Sequence, residues 1–147
     1  MEDSRLRDPS EIHPGPACAY RAAVWLLGAL VVYALSWAIV VLASLSGHGP
    51  EVWLGLDLGN VTREAPLHIY ALFFTQIALF CVAFLVLVRR RRAALWWFAA
   101  GAVTHAAMWL SMTTSPYYAG EFGYGVLVIE AAITLALVLA RHQGQLH

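Results

Sequence analysis

Glu130 places a carboxylic acid in the middle of a long apolar run, VLVIEAAITLAL. A charged side chain at the centre of a membrane-spanning helix costs about 2.5–3.5 kcal/mol on insertion scales. Acids in such positions face the interior of a helix bundle, pair with another polar group, and often mark an ion or substrate pathway. Glu130 is therefore the first candidate for proton transfer or ligand binding.

His105, within the stretch HAAMWLSM, is the expected partner of Glu130. Burial disfavours the charged form of each group, whereas pairing favours charge on both, so a neutral hydrogen bond and an ion pair both remain open. Gln76 carries a donor and an acceptor and can serve either state. An acid, an imidazole and an amide together indicate a site that shares or moves a proton.

The same stretch predicts a minor alternative, a soft-metal site. His105, Met108 and Met112 share one helical face, and imidazole with thioether sulfur suits an ion such as Cu(I). Methionine is also a common filler of hydrophobic cores. Haem is disfavoured because the other histidine within an apolar run, His68, lies at the membrane edge, and the sequence identifies no cofactor.

The elements that must position these residues are long apolar segments. The chain is 61% hydrophobic and 12% charged, far from the composition of an average soluble protein. Crossing a membrane needs about 20 apolar residues, and four segments satisfy this requirement. The sequence predicts an all-α integral membrane protein whose four transmembrane helices form an antiparallel bundle. The predicted parts are a polar cytoplasmic arm (1–22), four spans (23–45, 68–88, 93–113 and 122–140), a periplasmic loop (46–67) and a cytoplasmic tail (141–147).

The arginines predict the orientation of the spans. All nine basic residues are arginine, and four of them, Arg89, Arg90, Arg91 and Arg92, fill the turn between the second and third spans. The positive-inside rule then places this turn and both termini in the cytoplasm. We expect a bacterial inner (plasma) membrane from the all-arginine basic set. A second interpretation of the turn is contact with anionic lipid headgroups. The balanced net charge indicates no nucleic-acid partner.

Residue counts along the spans place several polar side chains at a similar depth. Ser36, Gln76, His105 and Glu130 each lie about eight or nine residues from the outer end of their span, roughly 12–13 Å deep. Thr75 neighbours Gln76, and we expect Tyr33 to share a helical face with Ser36. The sequence predicts that one polar residue from each helix meets the others in a single layer.

The leading functional hypothesis is the binding of a small molecule or a proton-coupled ion at this layer, in a transporter-like or ligand-binding protein. Glu130 and His105 share a proton, Gln76 and Ser36 orient the ligand, and loop 46–67 covers the mouth. The alternative is a non-catalytic accessory or assembly subunit of a larger membrane complex, in which the layer joins helices. Either hypothesis permits a homo-oligomer, and the absence of familiar catalytic motifs disfavours an enzyme.

Overall fold

The computed structural model describes residues 17–113 and 121–147, and these residues form five helices and one short hairpin. Four of the helices are long and apolar enough to cross a membrane, which confirms a helical, multi-pass membrane protein. The remainder of the predicted N-terminal arm, residues 1–16, lies outside the described residues. The elements are α1 (Ala17–Leu45), β1 (Val52–Trp53), β2 (Leu56–Asp57), α2 (Leu58–Glu64), α3 (Leu67–Val88), α4 (Ala93–Met112) and α5 (Glu121–His142).

The long helices extend beyond the apolar segments in two places. Helix α1 begins at Ala17, inside the segment predicted as an arm, and α5 continues to His142, inside the predicted tail. Hydropathy marks the part of a helix that suits lipid, but backbone hydrogen bonding continues into polar sequence until a cap or a breaker ends it. A helix boundary and a membrane boundary are therefore different positions in this chain.

The four long helices pack in a ring, in which α1 contacts α3 and α5, and α4 also contacts α3 and α5. Phe80 of α3 stacks on Phe98 of α4 with ring centroids 5.4 Å apart. Gly101 of α4 lies against the same ring, since a Cβ atom there would stand 2.6 Å from Phe80 Cε1. Small residues permit this close approach between membrane helices, where van der Waals packing drives association.

A shared hydrogen-bond pattern ends α1 and α3. At the end of α1, Gly47 adopts a φ of 77°, the His48 amide donates to Ala43 O, and the Gly47 amide donates to Ser44 O. This is a Schellman motif, in which a left-handed residue satisfies the last carbonyls of a helix. Arg90 takes the left-handed position after α3, with a φ of 55°. The backbone conformation at Arg90 and the hydrogen bonds around it therefore define the arginine turn.

The predicted tail 141–147 packs against this turn after α5 ends. The His147 amide donates to Arg90 O at 2.7 Å, and the Arg92 amide donates to His147 O at 2.9 Å. Leu146 is fully buried in the core cluster of the bundle. The last residues therefore complete the end of the bundle that carries the arginine turn.

Loop 46–67 contains more structure than the short extended piece that its alternating leucines predict. Strands β1 and β2 pair in an antiparallel hairpin. Leu54 and Gly55 form its two-residue turn with φ angles of 49° and 80°, as a type I′ turn requires. Asp57 caps the following helix α2, because its carboxylate accepts a hydrogen bond from the Asn60 amide at 3.0 Å.

Candidate functional site

A cavity of about 160 Å³ lies between the four long helices and loop 46–67, at the end of the bundle opposite the arginine turn. Its wall is largely apolar, and five aromatic residues of α1 and α3 contribute to it: Tyr33, Trp37, Tyr70, Phe73 and Phe80. Helices α4 and α5 close the other side. The bundle therefore contains a partly open aromatic chamber near one end.

Loop 46–67 supplies the outer wall of the chamber. Leu54, Leu56 and Leu58 line the cavity, and Leu58 is only 1% exposed. The loop is anchored to α3, because the Tyr70 hydroxyl donates a hydrogen bond to Thr62 O at 2.6 Å. A hairpin and a short helix thus hold apolar side chains over the chamber.

Gln76 is a polar residue in this largely apolar wall. Its side chain is 5% exposed, and its Oε1 atom has no hydrogen-bond partner among the described residues. An unsatisfied buried polar group of this kind costs about 1–3 kcal/mol. Native proteins pair the large majority of such groups. Gln76 therefore combines a position on the chamber wall with an amide oxygen that lacks a partner among the described residues.

His105 lies on the wall contributed by α4, and its imidazole is hydrogen-bonded to Glu130 of α5. His105 Nδ1 and Glu130 Oε1 are hydrogen-bonded at 2.7 Å, and the two residues are 7% and 4% exposed. Glu130 does not line the cavity, so it is connected to the cavity wall through its hydrogen bond to the His105 imidazole. A carboxylate or carboxylic acid on one ring nitrogen fixes the orientation of a histidine and determines the role of the other nitrogen. Nε2 remains as the ring atom available for a further hydrogen bond.

The structure brings Gln76, His105 and Glu130 into the interior but leaves the remaining members of the predicted layer elsewhere. Ser36 is exposed, and its hydroxyl donates to the Tyr33 carbonyl of its own helix at 2.7 Å. The expectation that Ser36 meets the other polar residues is wrong, because its hydroxyl is satisfied locally and needs no interior position.

Thr75 and Tyr33, the other two candidate ligand-binding residues, lie in different surroundings. Thr75 is exposed, whereas its neighbour Gln76 is buried. Tyr33 is 38% exposed and lines the aromatic wall of the chamber. The predicted layer of four helices therefore reduces to an amide on α3 beside a histidine and acid pair that joins α4 to α5.

The three residues of the predicted soft-metal site all line the chamber. They are His105, Met108 and Met112, and His105 has one ring nitrogen engaged by Glu130. Within residues 17–113 and 121–147, no group of three His, Cys, Asp or Glu side chains is placed to hold a metal ion. Any metal in the chamber would therefore depend on thioether sulfur.

Apart from Tyr33, the aromatic residues of the chamber wall were not among the predicted site residues. Tyr33 and Trp37 are one helical turn apart and their rings meet edge to face at 6.4 Å. Tyr70 and Phe73 follow a similar spacing on α3. Aromatic residues at i and i+3 or i+4 in the outer halves of two spans were the available signal.

Comparison of this chain with protein-family models, with curated proteins and with solved structures finds no match. The chamber, its amide and its histidine and acid pair are therefore the basis for assigning a function.

Proposed function

We propose that this chain is a multi-pass protein of the bacterial inner membrane that binds a small molecule in the chamber between its helices. Gln76 and His105 contact the ligand, and Glu130 holds His105 and shares a proton with it. The four long helices form an antiparallel bundle with both termini in the cytoplasm. The concentration of arginine at 89–92 supports this orientation, which places loop 46–67 as a cover on the periplasmic side.

The observation that carries this proposal is the unpartnered Gln76 amide on the chamber wall. An accessory subunit would use buried polar groups to join helices, and the His105–Glu130 pair suits that role equally well. Gln76 Oε1 joins nothing among the described residues. A cavity-lining residue with a buried polar atom that lacks a partner is typical of a ligand site with a few placed polar groups.

A small molecule has better support than an ion as the bound species. None of the described residues that line the chamber is Arg, Asp or Glu, and Glu130, which contacts the lining residue His105, is engaged by it. An ion that entered the chamber would lose its hydration shell and would meet no opposite charge among the described wall residues, which makes its burial unfavourable. The aromatic surfaces instead favour an apolar body.

Native mass spectrometry of the protein, gently solubilised from its own membrane, tests the proposal. Ala34 is buried and lines the chamber, so Ala34→Leu fills part of the space. Ala29 is exposed on the same helix, and Ala29→Leu is the matched control. We expect a small bound mass on the wild type and on Ala29→Leu, and its loss from Ala34→Leu.

Two results would contradict the proposal. A stoichiometric larger protein partner with no small mass on any variant would support the accessory-subunit alternative. A small mass retained by Ala34→Leu at the wild-type level would place the bound molecule outside the chamber.

A further inference from the structure

The volume of the chamber limits the size of its ligand. At about 160 Å³ it is close to an engineered apolar cavity of about 150 Å³ that binds benzene. Sites for drug-sized molecules are larger, at about 300–1,000 Å³. The part of a ligand that fits inside the chamber therefore has about one ring.

The wall determines the shape and polarity that this ring should have. Aromatic pairs prefer edge-to-face or offset stacked arrangements, and such pairs stabilise a complex by about 0.5–1.5 kcal/mol beyond area burial. Tyr33, Trp37 and Phe73 offer ring faces and edges on two adjacent helices. A flat ring makes more of these contacts than a branched aliphatic body of equal volume.

The polar end of the chamber determines the functional group. Gln76 and His105 both line the chamber. The amide oxygen of Gln76 has no partner among the described residues, and Glu130 engages only one ring nitrogen of His105. A hydroxyl both donates and accepts, so it can donate to the amide oxygen and accept from a protonated Nε2. A methyl group of the same size leaves the amide unsatisfied.

From these features we infer that the ligand is a neutral, single-ring molecule with one hydroxyl group, of the phenol or benzyl alcohol type. The ligand class rests on the binding function proposed above. The ring occupies the aromatic wall beneath loop 46–67, and the hydroxyl replaces the missing partner of Gln76. Glu130 does not line the chamber and its carboxyl group is engaged by His105, so it offers no direct contact to a cationic ligand.

Equilibrium binding of three probes to the purified full chain in detergent tests the ligand class. The probes are para-cresol, para-xylene, which replaces the hydroxyl by a methyl group, and the cation benzylammonium. Ala34→Leu supplies the background for each probe, because partition into the micelle is the same in the filled variant. We expect para-cresol to bind about tenfold more tightly than para-xylene, which corresponds to about 1.4 kcal/mol.

Removal of the amide should reduce this preference without emptying the chamber of ligand. In Gln76→Leu we expect the preference for para-cresol over para-xylene to fall, because only His105 Nε2 remains to bond the hydroxyl, and an unchanged preference would contradict the role of Gln76. Gln76→Met repeats the test with a more flexible side chain. Fluorescence quenching, to which Trp37 on the chamber wall contributes, follows binding in each variant.

Three results would overturn the ligand class. Equal binding of para-cresol and para-xylene by the wild type would exclude the hydroxyl, while chamber binding itself would stand. Tighter binding of benzylammonium than of para-cresol would assign Glu130 as a counter-ion. If no probe binds above the Ala34→Leu background, the single-ring class is wrong, and the small mass on the native protein separately decides whether the chamber binds another molecule.

Discussion

The hydrogen bond between His105 and Glu130 should be a strong energetic coupling between α4 and α5. A double-mutant cycle of His105→Leu, Glu130→Leu and the double variant measures this coupling. Leucine fills a similar volume without adding a polar atom, so the cycle isolates the polar interaction. The three variants also test whether the pair stabilises the bundle or only serves ligand binding.

The magnitude follows from the geometry of the pair. The two side chains are 9% and 4% exposed and their atoms lie 2.7 Å apart, so solvent screens the interaction little. Removing one partner leaves a buried polar group unpaired, at a cost of about 1–3 kcal/mol. Replacing both removes that penalty, so the double variant should be less destabilised than the sum of the singles. We expect a coupling of about 1–2 kcal/mol, above the average of about 0.6 kcal/mol measured for hydrogen bonds between membrane helices.

The assay is reversible unfolding of the full chain in bicelles, with helix content as the signal. Ser36→Ala is the control, because that hydroxyl is exposed and bonds only its own helix, and its effect should stay within about 0.5 kcal/mol. If the destabilisation of the double variant equals the sum of the two single variants within about 0.5 kcal/mol, the reasoning is refuted, because independent sites behave in this way. The same cycle in para-cresol binding then separates orientation of His105 from global stability.

Three further predictions concern packing and the cover of the chamber. Gly101→Ala should destabilise the fold by about 1–3 kcal/mol in thermal unfolding because the new methyl group overlaps an aromatic ring, whereas Gly125→Ala, which meets nothing within 4 Å, should not destabilise it. Tyr70→Phe removes the hydrogen bond to Thr62 O, so the free energy of opening α2, measured by amide exchange, should fall by about 0.5–1.5 kcal/mol. Unchanged exchange rates in α2 would contradict this anchor. Leu146→Ala should destabilise the fold by about 2–5 kcal/mol in the same unfolding assay, because this side chain is fully buried, and a change below 1 kcal/mol would show that the tail does not pack.

The membrane class could be predicted from the sequence because it depends on properties of each segment alone. A lipid environment requires every backbone polar group to be satisfied within the helix, so a run of about 20 apolar residues is sufficient to indicate a span. The same reasoning indicates that Glu130 needs a buried partner, and a residue count along each span nominates His105. These conclusions need no knowledge of how the helices are rotated.

Helix rotation was decided by the tertiary structure, and Ser36 and Gln76 show why. Both lie at a similar predicted depth. The Ser36 hydroxyl bonds a carbonyl of its own helix, whereas Gln76 is buried and lines the chamber. Because its hydroxyl is satisfied by a carbonyl of its own helix, Ser36 can lie on an exposed face. Depth along a helix is therefore readable from the sequence, and the face that a residue occupies is not.

The space inside the bundle was likewise decided by packing between segments. The Phe80 ring packs against Gly101, one helical turn from His105, and the chamber lies further out beneath loop 46–67. The burial of Leu146 depends in the same way on the backbone hydrogen bonds between the tail and the arginine turn. Hydropathy is a property of one segment, whereas a cavity is the volume that several segments leave unfilled. Its position therefore follows only when the side chains of all four helices are placed together.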